Sequence, residues 1–282
     1  MRRHEYARHT QIALLYDGDA GERIAAYLLL PRSGDRRPLP AVVAAHPCAR
    51  RCAVGKEQVV RRCADLPDGS FGLELVRRGF AVIAPDAAKV GERCDRRLRQ
   101  PWQEADDVGG GAARCCEAPG GSLGAIRWKR VHDTMRAVDL LAQHRRVDAT
   151  RIGVIGHGLG ADTLLLTMAH DERIRCAALA GAGACPADPS RELPAATLLA
   201  AAAPRPLIEF ARAGVRRTAH ADAGRAYAAA GAPAALALVE GDGPEAAFPP
   251  ASRAAACDWL ERHLMAAAPI APADAKPGGD DF

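Results

Sequence analysis

The residues Gly156-His157-Gly158-Leu159-Gly160 follow directly on the apolar run Ile152-Gly153-Val154-Ile155. They form the frame G-x-S-x-G with glycine in place of the central serine. A frame of this kind specifies a sharp strand-to-helix turn at the carboxyl end of a buried parallel strand, with the middle hydroxyl exposed at the top of the sheet. The central residue of such a turn sits in a strained backbone conformation, which glycine accepts readily. The turn is therefore expected to survive here, and the hydroxyl is gone.

The rest of the chain repeats a strand-helix rhythm around this turn. Residues 10–16 and 24–30 read as an antiparallel entry hairpin about Asp17-Gly18-Asp19-Ala20-Gly21. Short apolar runs at 41–45, 80–84 and 152–156 have the unbroken hydrophobicity of strands buried on both faces, and further strands are read at 175–180, 206–211 and 235–239. Helical patterns occupy 71–78, 129–144, 159–169, 220–230 and 252–265. Alternation of this kind predicts an α/β fold, a mostly parallel sheet of eight strands with helices on both faces. Residues 87–125 break the rhythm. They are polar, contain Gly109-Gly110-Gly111, and read as a long loop or insertion over the carboxyl edge of the sheet, where ligands of such sheets bind. The domain is expected to span 1–265, with 266–282 a disordered tail rich in Ala, Pro, Asp and Gly.

Composition narrows the function classes. The net charge is +4 with basic residues scattered, so no phosphate-tracking stripe points to nucleic acid. No run approaches the roughly 20 apolar residues of a membrane helix. The polar N-terminus lacks the charged-then-apolar pattern of a secretory signal, which places the protein in the cytoplasm. The apolar segment 192–203 is a candidate homodimer interface.

Nine segments in order carry a resemblance. Pro40-Ala41-Val42-Val43 leads into His46, and Gly55-Lys56-Glu57 follows. Gly79-Phe80-Ala81-Val82-Ile83-Ala84-Pro85-Asp86 precedes Gly91-Glu92-Arg93. Asp133 to Leu141 precedes Arg151-Ile152-Gly153-Val154-Ile155-Gly156-His157. Asp171-Glu172-Arg173-Ile174, Ala203-Pro204-Arg205-Pro206-Leu207 and Cys257 to Leu264 complete the series. Over residues 10–265 the chain resembles the α/β-hydrolase superfamily, in its dienelactone-hydrolase and acetyl-xylan-esterase-like branch. The resemblance implies a single α/β-hydrolase domain whose chemistry requires a nucleophile, a base and an orienting acid.

Carried over residue by residue, the nucleophile position is Gly158, the acid position Gly214 and the histidine position Pro244. No histidine lies between His220 and His263, so a shift of a few residues does not restore the base. Pro47 after His46 has no N–H to offer a developing oxyanion, whereas the Leu159 amide is expected to survive with the turn. The serines Ser33, Ser70, Ser122, Ser190 and Ser252 all lie away from the turn. His46, Cys48, Asp86, His157, Gly158, Leu159 and Glu209 are the groups expected nearest the old pocket. His220 and Asp222 are expected to begin a solvated helix.

The sequence thus supports a ligand-binding or regulatory pseudohydrolase that takes a small molecule and needs no cofactor. Two alternatives stand beside it. Proton-transfer chemistry of isomerase, cyclase or lyase type needs a positioned base but no nucleophile. A thiol-dependent metal binder would draw on Cys48, Cys52, Cys115 and Cys116, although their spacings match no zinc ribbon or finger. Free thiols are the simpler expectation for these loop cysteines, and Cys176 and Cys257 are expected to fill the core.

Overall fold

A computed structural model describes residues 1–32, 37–47, 54–61, 70–94, 123–183, 193–242 and 248–265. The strands are β1 (Arg2–Glu5), β2 (His9–Asp17), β3 (Arg23–Pro31), β4 (Leu39–Ala45), β5 (Ala81–Pro85), β6 (Val147–His157), β7 (Ile174–Ala180), β8 (Leu207–Arg212) and β9 (Leu236–Gly241). The helices are α1 (Glu57–Val60), α2 (Phe71–Arg77), α3 (Leu123–Gln143), α4 (Leu159–His170), α5 (Ala195–Ala202), α6 (Arg217–Ala229) and α7 (Pro250–Leu264). Among the described residues the strands form one sheet in the order β1-β2-β3-β5-β4-β6-β7-β8-β9. Strands β5, β4, β6, β7, β8 and β9 run parallel, and β1, β2 and β3 add an antiparallel margin.

The central strands are buried on both faces, and their side chains alternate between two cores. In β4, Leu39, Ala41 and Val43 enter the core shared with α3, α4 and α5. Val42 and Ala44 enter the opposite core, shared with α2 and α7. The first core also holds Leu164, Leu165 and Leu166 of α4. The second holds Phe71 and Leu75 of α2 with Leu260 and Leu264 of α7.

Eight strands were expected and nine are present among the described residues. The extra strand β1 pairs only with β2 and exposes all four of its residues, Arg2-Arg3-His4-Glu5. Such an edge strand carries no hydrophobic period to reveal it. Helix α3 begins at Leu123, so the expected loop 87–125 contains the first turn of a helix at its end and a 3₁₀ turn at Gly91–Arg93. Its remainder, 95–122, lies outside the described residues, as does the tail 266–282.

The segment 192–203, expected at an interface, is largely helix α5. Leu198, Leu199 and Ala202 are buried in this chain's own core, where α5 packs on α4 and α6. These three side chains face inward, while Leu193 is exposed. Cys176 and Cys257 are buried core fillers. Burial raises both thiols above their ordinary range, Cys257 to about 12. Among the described residues no helix is long and apolar enough to cross a membrane.

If α5 is a core helix, Leu199→Ala will cost about 2–5 kcal/mol in chemical denaturation. Sedimentation will show its assembly state unchanged from wild type.

Candidate active site

The turn after β6 is built by close approach. A Cβ on Gly160 would lie 2.4 Å from the Ala45 carbonyl oxygen and 2.8 Å from that of His46. A Cβ on Gly156 would meet the Gly160–Ala161 backbone at 2.8 Å. Glycine at both positions lets α4 start directly against the ends of β4 and β6. Between them Gly158 has φ +55° and ψ −120°. Its N–H donates to the Ala180 carbonyl at 2.8 Å, and its carbonyl accepts the Asp162 N–H at 3.0 Å. The turn is thus tied to β7 on one side and to the first turn of α4 on the other.

Space at position 158 is open. The nearest atoms to a Cβ built there are Pro47 Cβ at 3.6 Å and Pro47 Cα at 3.9 Å, an ordinary van der Waals distance. What opposes a side chain at this point is backbone conformation and not crowding. The Pro47 ring lies over the position and has no N–H to point at it. The Leu159 amide opens α4, in the first turn, where helix N–H groups lack intrahelical acceptors.

Gly214 follows β8 with φ +82° and no atom within 4 Å of a Cβ built there. Its N–H donates to Glu240 Oε1 at 2.6 Å, which fixes the exposed turn to β9. Pro244 lies outside the described residues, as do Cys48, Cys52, Cys115 and Cys116. The neighbouring Phe248 is fully buried and packs on Phe71, Phe210 and His157. His157, just before the turn, is 4% exposed, with its ring centroid 5.6 Å from that of Phe248.

His46 is held as a neutral ring. Nδ1 donates to the Pro47 carbonyl at 2.8 Å, and Nε2 accepts the Ala87 N–H at 3.0 Å. Burial depresses its pKa below 6.5, against the opposing pull of Asp86 and the Pro47 hydrogen bond. With both nitrogens bonded to backbone, His46 braces the end of β4 against the residue after Asp86.

Asp86 is the centre of a buried knot. Its Oδ1 accepts the Lys56 N–H at 2.7 Å, and its Oδ2 accepts Lys56 Nζ at 2.7 Å and the Glu92 N–H at 3.0 Å. Lys56 Nζ also reaches Glu92 Oε1 at 2.6 Å. Burial opposes the charge on Lys56, but the two carboxylates outweigh it and raise its pKa. A Cβ on Gly55 or Gly91 would fall 2.0 or 2.1 Å from Asp86 Oδ1. The segments Gly55-Lys56-Glu57, Pro85-Asp86 and Gly91-Glu92-Arg93 are therefore one structural unit. Arg93 extends it, donating to the Asp86 carbonyl, to Asp133 and to Glu22.

Glu209, expected near the pocket, is 1% exposed and clamped by Arg216 and His220. Arg216 donates through Nε and an Nη at 3.2 and 2.8 Å, and His220 Nε2 lies 2.6 Å away. Burial alone would raise the Glu209 carboxyl, but the His220 hydrogen bond and the Arg216 charge hold it below its ordinary value. His220, expected on a solvated helix face, is 9% exposed. The side chain of Glu209 lies within an otherwise apolar strand, and its partners come seven and eleven residues later on α6 and just before it. No local pattern announces that cluster.

His46, Asp86 and Leu159 border a shared cavity of about 20 Å³, closed further by Arg130, Asp133 and Thr163. That is room for about one water molecule. Among the described residues no group of three or more His, Cys, Asp or Glu side chains is placed to hold a metal ion.

The chain matches no protein-family model. It is 26% identical over 163 residues to the "Putative hydrolase YtaP" of Bacillus subtilis strain 168, a match covering 57% of this chain and 49% of that protein. The match thus takes in about half of the relative's length. Among solved structures, a cold-adapted esterase from an Arctic intertidal metagenomic library aligns with TM-score 0.62 at 19% identity, over 93% of this chain and 97% of the other. A "putative acetyl xylan esterase" from Bacteroides fragilis aligns with TM-score 0.66 at 15% identity, over 91% and 75%. A glucuronoyl esterase from Solibacter usitatus aligns with TM-score 0.58 at 14% identity, over 91% and 82%.

Two outcomes follow from the geometry. Gly158→Ser will fold and lose about 1–3 kcal/mol, the cost of a side chain at a strained backbone position. Gly160→Ala, which drives a methyl group into a carbonyl, will lose about 3 kcal/mol or more; both are read by urea denaturation. The unfolded chain protonates His46 below about pH 6.5, and the folded chain resists it. The His46 contribution is therefore complete above that value and is lost as the pH falls through the depressed folded value. The urea midpoint will drop between pH 7.5 and 5.5, and by less in His46→Gln.

These observations converge on one assignment: the chain has the α/β-hydrolase fold, with the strand-to-helix turn of that fold at Gly158.

Proposed function

We propose that this α/β-hydrolase-fold protein works without a serine nucleophile and binds a small molecule at the carboxyl edge of its sheet as a pseudohydrolase. The observation that carries the reading is Gly158. It occupies the turn with the backbone angles that strain a side chain, and there is no hydroxyl to attack a carbonyl. The neighbouring groups support it. Gly214 follows β8 at the acid position and contributes only its backbone, and Pro244 stands at the histidine position. Pro47 removes one amide from the region that would face a developing oxyanion.

The proton-transfer alternative draws less support. Its first candidate base, His46, spends both ring nitrogens on backbone groups, and Asp86 is committed to Lys56 and Glu92. A general base must reach the proton it abstracts, and neither group has a free atom to do so.

The test is chemical labelling with turnover. Wild-type protein treated with a fluorophosphonate will carry no stoichiometric adduct, and its hydrolysis of p-nitrophenyl acetate will not rise above the level of a bulk-protein control. Gly158→Ser will remain inactive as an esterase, because a serine without base and acid partners is a weak nucleophile. Stoichiometric labelling of one wild-type serine, with turnover abolished by its replacement with alanine, would overturn the reading.

A further inference from the structure

A second concavity lies at the opposite end of the sheet from Gly158. It crosses the amino ends of β6, β7 and β8, and its walls are Arg151, Glu172, Arg175, Arg205, Pro206 and His263. Its volume is about 540 Å³, within the range of small-molecule sites. Six residues of β6 lie between Arg151 and Gly158, a distance of about 23 Å along an extended strand. A ligand held here would not touch the turn.

The lining is electropositive. Three guanidinium groups face one carboxylate, Glu172. Arg205 forms the fixed part of the floor. Its Nε donates to the Ala202 carbonyl at 3.1 Å, one Nη to the Asp171 and Ile174 carbonyls at 3.0 and 3.1 Å, and the other to the Ala201 carbonyl at 3.2 Å. Four of its five N–H donors are spent on neutral carbonyls, so its charge meets no carboxylate by direct contact. Burial works against that charge, and nearby Arg175 adds to the opposition. Arg151 is paired with Asp148 at 2.7 Å. Arg175 is exposed and makes no ion pair or hydrogen bond among the described residues. Its whole fork of donors remains available at the rim. His263 adds a ring whose Nε2 is buried with no hydrogen-bond partner among the described residues. Apolar wall comes from Ala201, Ala203, Pro204 and Leu264.

We infer that this groove is a binding site for a small phosphorylated or pyrophosphorylated molecule. Its anionic group would be held by the free Arg175 fork over the fixed charge of Arg205, and its apolar part would rest against the Ala-Pro wall. Phosphate chemistry matches what is offered: a planar donor fork beside a second guanidinium, with three guanidinium groups outweighing the single carboxylate of Glu172. The site is independent of the nucleophile question, since none of its residues contacts the turn.

Isothermal titration of the full-length protein with inorganic pyrophosphate, at ionic strength held constant with sodium chloride, tests the inference. Saturable one-to-one binding is expected. Arg175→Glu, an exposed change that leaves the Arg205 carbonyl cap intact, should weaken it at least tenfold. Arg225→Glu, an equal charge change on α6, should leave it within twofold. No saturable heat in the wild type would overturn the site. Equal weakening by both variants would overturn it too, since that is the signature of net charge alone. Far-ultraviolet circular dichroism of each variant separates loss of binding from loss of fold.

Discussion

The carboxylate of Asp86 accepts two hydrogen bonds from Lys56 and one from the Glu92 amide, and much of the upper edge of the sheet is arranged around it. A charge buried to this degree is costly unless every lone pair is met. Here the partners come from segments thirty residues before and six after, so the chain cannot satisfy the charge without bringing both loops to the end of β5. Gly55 and Gly91 have lost their side chains to the same demand. Arg93 then passes the constraint outward to Asp133 on α3 and to Glu22 in the entry hairpin. His46, braced between the Pro47 carbonyl and the Ala87 amide, links β4 to the residue after Asp86. The frame around the old site is an electrostatic construction that stands whether or not a reaction takes place in it.

That separation explains how the turn at Gly158 stands with no side chain at its centre. The requirements on Gly156 and Gly160 come from backbone contacts with β4 and α4, which belong to folding. At position 158 nothing crowds a side chain, and the backbone angles alone oppose one.

Legibility in the sequence follows the same division. Strands β4 and β5 and the second half of β6 announce themselves because each is buried on both faces and reads as an unbroken apolar run. Strand β1 does not, since Arg2-Arg3-His4-Glu5 faces solvent throughout. Helix α5 is hidden by its alanines. They give it apolar composition without a polar face, so a segment that fills the core looks like a surface patch. The turn at 156–160 is fully readable because local spacing makes it. The Asp86 knot is readable only as three separate motifs, and the Glu209–Arg216–His220 cluster not at all. Their partners converge through tertiary packing, and nothing in local period or spacing encodes which face a lone buried acid will choose.

Backbone energetics at position 158 favour glycine. A side chain at φ +55° and ψ −120° costs about 1–3 kcal/mol, which a working enzyme tolerates because catalysis depends on that geometry. Net folding stability is only about 5–15 kcal/mol, so relief of such strain is a substantial fraction of the whole. Once turnover is no longer selected, glycine at this position is favoured by stability alone, with no compensating change elsewhere. Reversal is not symmetrical. Restoring a serine would reinstate the strain at once, whereas its benefit would require a base and an acid on two other loops, each unselected until all three are present. On the proposed reading, glycine at position 158 is therefore held in place by the fold's own energetics.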